Sequence, residues 1–442
     1  MRILYNILFW VFFLVTSPYY FWRLLRRGNW WAGFGERFGQ YDTKLKQAIT
    51  NRHNLWLHAV SVGEVSLCTQ LIRALEARLP NAKLIVSTTT TTGMGELKKR
   101  LPTHISKIYY PVDRREYVSR ALISVNPRAV ILVEAEIWPN FIWRATALGI
   151  PLFLVNARLS ERSYRGYRRF GFLFRPLFAS FVGVGAQSEA DAARLREIGC
   201  RPEAIHLVGS LKFDAAQPDG LRRLNVAALR AQLGVAAHAP ILVCGSTHAG
   251  EEAILADIYF RLRRRFPELF LIVVPRHFER SRDAGRELAA RGVKFALRSK
   301  LNGHTQFAPG ELHGLLVNTT GELRDFYELA TVVFVGKSLT AAGGQNPIEP
   351  GALGKAVVCG PNMQNFADVM AIFRARDAVV QVRDAAELEV AFSELLSNPA
   401  RREQLGGNAL QVVRENLGAV DRTVEMILKG VEQSGIYIVP KR

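Results

Sequence analysis

From residue 53 onward, short apolar runs alternate with segments whose apolar positions recur at helical spacing. The runs at 55–60, 83–88, 129–134, 151–156, 181–186 and 205–208 read as strands, and helical patterns such as 65–79, 113–125 and 189–198 separate them. Continuously apolar strands joined through helices predict a parallel sheet covered on both faces. The rhythm breaks at 214–220, where Ala215-Ala216-Gln217-Pro218-Asp219-Gly220 reads as a linker. It restarts with runs at 240–244, 269–274, 315–318, 331–335, 356–359 and 379–382, between helices such as 251–264 and 322–329. The expected architecture is α/β, with two Rossmann-like domains at 28–213 and 231–425, a linker at 214–230 and a tail at 426–442. The helical stretch 385–431 is long enough for one helix to return across the domain boundary.

Two stretches depart from this alternation. Residues 3–22 are almost wholly apolar and aromatic, with Asn6, Thr16 and Ser17 as the clearly polar positions; Arg23, Arg26 and Arg27 follow, then Trp30 and Trp31. About twenty such residues suffice to cross a bilayer as a helix. A signal peptide fits poorly, because its basic residues precede the apolar core, whereas here all but Arg2 follow it. The anchor, at 1–27, therefore leaves the large soluble body on the cytoplasmic side. An interfacial anchor is the alternative, since Tyr19, Tyr20, Phe21 and Trp22 form an aromatic belt and Asn6 interrupts the span. The second stretch, 164–178, interleaves arginines with aromatics. That composition suits an anionic lipid surface, single-stranded nucleic acid, or an amphipathic helix packed on the sheet with a solvated basic face.

Charge agrees with an anionic partner. The 442-residue chain carries a formal net charge of +19, which attracts nucleic acid, anionic lipid or a phosphorylated substrate. The apolar N-terminus selects lipid and substrate over nucleic acid. Cys68, Cys200, Cys244 and Cys359 lie far apart without a CxxC pair, which fits a reducing compartment. No GxxxxGK[ST] supports a P-loop, and no HExxH or paired Cys/His arrangement supports a catalytic metal. The glycines of 33–39 have the wrong spacing for a dinucleotide fingerprint.

Candidate chemistry gathers just after the expected strands, where open α/β sheets keep their sites. Ser61-Val62-Gly63-Glu64 joins the first strand to a helix, and a helix start favours the ionised carboxylate that a base requires. An acidic first turn is also an ordinary helix start signal. His58, nearby, reads as a structural histidine. Lys212, Ser246-Thr247-His248, Glu251-Glu252 and Arg276-His277 follow other strands and read equally as surface loops or as walls of a ligand cleft. Thr320-Gly321-Glu322 and Gly343 to Glu349 each precede a helix, with glycines and Pro347 placed as for an anion site of free backbone N–H groups.

Five of these segments, taken in order, resemble the 3-deoxy-D-manno-octulosonic acid (Kdo) transferases of lipopolysaccharide synthesis. They are His58-Ala59-Val60-Ser61-Val62-Gly63-Glu64, Val133-Glu134-Ala135-Glu136-Ile137-Trp138-Pro139-Asn140, Asn156-Ala157-Arg158-Leu159-Ser160, Gly209-Ser210-Leu211-Lys212-Phe213-Asp214 and Gly344-Gln345-Asn346-Pro347-Ile348-Glu349-Pro350. The resemblance implies a GT-B fold, two Rossmann-like domains facing a cleft, and an inverting, metal-independent transfer of Kdo from CMP-Kdo. The implied acceptor is a lipid A precursor (lipid IVA), and the implied location is the cytoplasmic face of the bacterial inner membrane, against anionic lipid. It assigns Glu64 as base, Glu134 and Lys212 to transition-state stabilisation, and CMP contacts to Pro275, Arg276, Thr320, Gly321, Glu322, Asn346, Pro347, Ile348 and Glu349. Gln345 stands where some relatives have histidine. The rival readings are a GT-B transferase using a UDP-sugar on a lipid acceptor and a non-catalytic membrane-anchored binding protein.

Overall fold

The computed structural model describes residues 2–435 except 27–30, 32, 51, 61, 135 and 217–223. Part of the expected linker, part of the tail, and Arg27, Trp30, Ser61 and Ala135 therefore lie outside the described residues. The chain divides into two compact units, Met1–Ala215 with Gly418–Arg442, and Ala216–Leu417.

The first unit holds a seven-stranded parallel sheet of β1 (His53–His58), β2 (Ala82–Thr88), β3 (Ser106–Tyr109), β4 (Pro127–Val133), β5 (Leu152–Ala157), β6 (Phe181–Ala186) and β7 (Ile205–Leu207). Its order is β3-β2-β1-β4-β5-β6-β7, so the winding reverses between β1 and β4. The central strands are buried along nearly their whole length because helices cover both faces, and each fully buried large apolar side chain contributes roughly 1.5–3 kcal/mol.

The second unit repeats the plan with β8 (Ile241–Thr247), β9 (Phe270–Pro275), β10 (Phe295–Leu297), β11 (Gly314–Leu316), β12 (Val332–Val335), β13 (Ala356–Cys359) and β14 (Val380–Gln381). The order is β10-β11-β9-β8-β12-β13-β14, reversing between β8 and β12. The apolar runs thus foretell twelve strands and miss β3 and β10. Both are short edge strands; β3 carries Ser106 and Lys107, and β10 is only half-buried, so neither forms a long apolar run.

The C-terminal segment corrects the expected boundaries. Residues 385–431 form three helices, Ala385–Ser397, Pro399–Glu415 and Ala419–Gln433, interrupted at Asn398-Pro399 and at Gly418, whose φ is +84°. The last helix belongs to the first unit, so a domain limit at 425 would cut through it. Val420, Val424, Met426, Ile427 and Val431 bury against the helix Val62–Arg78 and the first sheet. Gly430 lets the helix seat on Phe153, since a Cβ there would lie 2.5 Å from the ring. Asp214, expected in the linker, is buried and accepts from Gly418 N (2.7 Å) and Val420 N (2.8 Å), capping this helix.

The N-terminal helix Arg2–Arg26 packs on the first unit through its opening turns. Tyr5 donates to Asp113 Oδ2 (2.7 Å), and Asn140 donates to Asn6 Oδ1 (2.8 Å). Asp113 also accepts from Asn140 N and Phe141 N, holding the start of the helix Pro139–Ala147. Burial raises the Asp113 carboxyl to about 6 despite these three donors. Because its folded value is raised, its contribution to stability is full below the ordinary carboxylate range and fades as pH rises through about 6. The melting-temperature advantage of the wild type over Asp113→Asn should therefore grow from pH 7 to pH 5. An unchanged gap would show that Asp113 does not titrate there.

Residues 164–178 form parts of two helices, Glu161–Arg169 and Gly171–Phe178. Tyr164, Tyr167, Phe174, Leu177 and Phe178 pack into the first core, while Arg162, Arg165, Arg168, Arg169 and Arg175 are exposed. Phe170 and Phe172 stand exposed among them. The segment is thus an amphipathic cover of the sheet whose outer side remains basic and aromatic.

Candidate active site

The reversal between β1 and β4 opens a crevice at the carboxyl ends of the first sheet. Glu64 lies there, in the first turn of the helix Val62–Arg78, and its Oε2 accepts from Val60 N at 2.8 Å. This back-bond ties the side chain to the chain just ahead of its own helix, so the structural reading of Glu64 as a helix-start residue is satisfied. The loop is braced from β2, since Thr88 and Thr90 hydroxyls donate to Val60 O. Glu134 follows β4 directly, with φ +56°, and its N–H donates to Val155 O at 2.9 Å. Glu64 and Glu134 follow the paired strands β1 and β4 at this reversal, and the buried Cys68 thiol is raised by burial first and then by both carboxylates. Glu136, two residues on, is also raised by burial and accepts from Trp138 Nε1.

Lys212 sits in the short helix Leu211–Asp214, which packs against the helix carrying Glu64. Asn156, fully buried with φ +52°, accepts from Leu211 N through Oδ1 (3.2 Å), and Asp214 fastens the other end of the turn to the last helix. Four of the five resembling segments therefore meet in the first unit, and the third of them seats the fourth. His58 lies within the core. It is buried, stacked on Tyr110 at 3.8 Å and hydrogen-bonded to Ser87, and burial pushes its pKa down to about 3, keeping it neutral.

In the second unit the expected nucleotide residues leave the carboxyl ends of β9, β11 and β12. Arg276 is exposed just after β9. Burial raises the half-buried Glu349 carboxyl, opposed by the Asn346 hydrogen bond (3.2 Å) and by the nearby charges of Arg324 and Arg276. The helix Leu323–Leu329, which carries Arg324, packs against the helix Ile348–Ala352, which carries Glu349, and sequence reasoning missed Arg324. Thr320 and Gly321 are exposed, whereas Glu322 is tied to Arg298 at 2.8 Å.

The expected anion site of free N–H groups is corrected in detail. Pro347 caps the short helix Ile348–Ala352 instead of taking its first helical position. Ile348 N donates to Asn346 Oδ1, Gly343 N to Gln364 and Gly344 N to Lys337 O. Gly344 is required by packing, because a Cβ would lie 2.4 Å from Met363 Sδ and its φ is +69°.

Glu251 and Glu252, read equally as a surface loop or a cleft wall, are fully buried. Glu252 pairs with Arg280 (3.0 Å) and accepts from Thr247. Glu251 accepts four backbone N–H groups: His248 and Lys337 on Oε2, Ser338 and Leu339 on Oε1, at 2.8–3.0 Å. It pins the segment after β12 to the segment after β8, at the reversal of the second sheet. Among the described residues, six other than glycine have positive φ, and Glu134, Asn156, Ser246 and Lys337 lie at or just beyond strand carboxyl ends. Such backbone strain concentrates at functional sites, and nothing in the local sequence signals it.

Residues 32–215 match the family model described as 3-deoxy-D-manno-octulosonic-acid transferase (kdotransferase). The chain is 33% identical to the 3-deoxy-D-manno-octulosonic acid transferase of Bordetella pertussis, covering 92% of this chain and 94% of that one. It belongs to the Kdo transferase family. The Haemophilus influenzae member is 30% identical over 90% of this chain and 91% of its own. A glycosyltransferase structure from Rickettsia africae shares the fold, with a TM-score of 0.56 at 13% identity over 87% of this chain and 99% of its own. The two units are accordingly the Rossmann-like halves of a GT-B-like glycosyltransferase, and Kdo transfer is the activity of the family.

Proposed function

We propose that this Kdo transferase moves Kdo from CMP-Kdo, with inversion, to a lipid A precursor of the lipid IVA type on the cytoplasmic face of a bacterial inner membrane. The observation that carries the proposal is the convergence of Glu64 and Glu134 on one reversal point, in a chain of this family. Glu64 takes the proton of the acceptor hydroxyl as that oxygen bonds to the anomeric carbon of Kdo. The bond from that carbon to the CMP phosphate breaks, and its electron pair leaves on the phosphate. Glu134 offsets positive charge on the sugar, and Lys212 meets the growing charge of the leaving group.

Pro275, Arg276, Thr320, Gly321, Glu322 and Asn346 to Glu349 form the CMP subsite in this reading, and cationic side chains serve where a metal otherwise would. The exposed arginines of 162–175 and the N-terminal helix hold the enzyme to anionic lipid. Incubation with CMP-Kdo and a tetraacylated precursor should give Kdo-bearing product, while UDP-sugars should give none. Turnover of a UDP-sugar in place of CMP-Kdo would overturn the donor assignment, and the number of Kdo residues added is read from the same product.

A further inference from the structure

The N-terminal helix is long enough to cross a bilayer, since 25 residues at about 1.5 Å each span roughly 37 Å. By length and composition, residues 2–19 qualify as a membrane span. Its contacts oppose that course. Tyr5 and Asn6 are bound to Asp113 and Asn140, which are buried at 2% and 5% exposure within the folded body. Tyr5 meets Trp143 edge-on at 5.7 Å, Arg2 lies over the same ring at 5.5 Å, and Arg114 lies over Trp10 at 4.7 Å. Beyond the far end of the helix at Arg26 the chain reaches buried Tyr41 and then β1 of the same unit.

The faces of the helix differ in the same sense. The half-buried face carries Tyr5, Asn6, Phe9, Phe13, Thr16 and Ser17, so every clearly polar position lies on it, whereas Ile3, Leu4, Ile7, Leu8, Val11, Phe12, Leu14 and Val15 are exposed. Crossing would break the Tyr5 and Asn6 bonds and leave those polar groups unsatisfied in hydrocarbon. Lying flat gives the apolar face to lipid and keeps both bonds. Arg2, exposed at the start of this helix, supplies charge that complements anionic headgroups.

We propose that this helix does not cross the membrane but lies along its surface, latched to the catalytic body by Tyr5–Asp113 and Asn6–Asn140, with its outer face set into an anionic leaflet. Both ends then sit on the same side as the body. The inference rests on the membrane association proposed above and adds its topology.

The test uses the full chain with a protease-cleavable tag ahead of Met1, in inverted inner-membrane vesicles whose cytoplasmic face points outward. External protease should remove the tag without detergent. Tag protection until detergent is added, with the body accessible, would overturn the in-plane topology while leaving membrane association intact. Failure of the protein to float with vesicles would instead overturn membrane association. In the same preparation Val11→Glu with Val15→Glu, both at exposed positions, should reduce flotation about tenfold. Unchanged flotation would remove the outer face as the lipid contact. Tyr5→Phe with Asn6→Leu should make residues 2–10 more accessible to hydrogen exchange, and unchanged exchange would dismiss the latch.

Discussion

Glu64→Gln should leave CMP-Kdo binding intact and lower Kdo transfer by about a hundredfold or more, the usual range for losing a general base. The substitution isolates chemistry from structure because the Val60 N–H bond to the side chain survives in glutamine, whose carbonyl oxygen can accept it. What glutamine cannot do is take the acceptor proton. Glu64→Ala should show the same loss of transfer together with a lower melting temperature, since it removes the capping bond as well. Donor titration by calorimetry and single-turnover product formation separate the two effects. Near-normal transfer by folded Glu64→Gln protein would sink the assignment and move attention to Glu134 or Glu136.

Glu251→Gln should produce the largest stability change in the second unit. The carboxylate accepts four backbone N–H groups, two on each oxygen. An amide keeps one oxygen and turns an NH2 toward the other pair. Two unmade bonds at about 1–3 kcal/mol each amount to roughly 2–6 kcal/mol. For a unit of this size that lowers the melting temperature by roughly 5–20 °C. The segment after β12 carries Gly343 to Glu349, so CMP-Kdo affinity should fall about tenfold while the first unit melts as before. Thermal unfolding that matches wild type would show that Glu251 does not hold this segment. A lowered melting point with unaltered donor affinity would confine its role to the scaffold.

The site divides between what local pattern encodes and what distant contacts create. The central strands were readable because a parallel strand covered on both faces must be apolar throughout, as in Val130 to Val133 or Leu152 to Val155. Glu64 was readable because the junction of such a strand with a helix marks a sheet edge. The edge strands β3 and β10 were not, because little burial constrains their residues. Glu251-Glu252 look like any acidic first turn; their burial follows from a loop more than eighty positions downstream folding over them.

By itself, then, the sequence determined the two α/β units, the apolar N-terminal segment and, through motifs in fixed order, the family. Those properties rest on periodicity and residue type within short windows. Tertiary structure alone decided that Glu64 and Glu134 leave adjacent strands at one reversal of the sheet, that Asp214 caps a helix some two hundred residues away, and that the helices bearing Arg324 and Glu349 pack together. It also decided that the first turns of the N-terminal helix are bound to the folded body. Each of these depends on burial and hydrogen bonds between residues far apart in the chain, for which no local pattern exists.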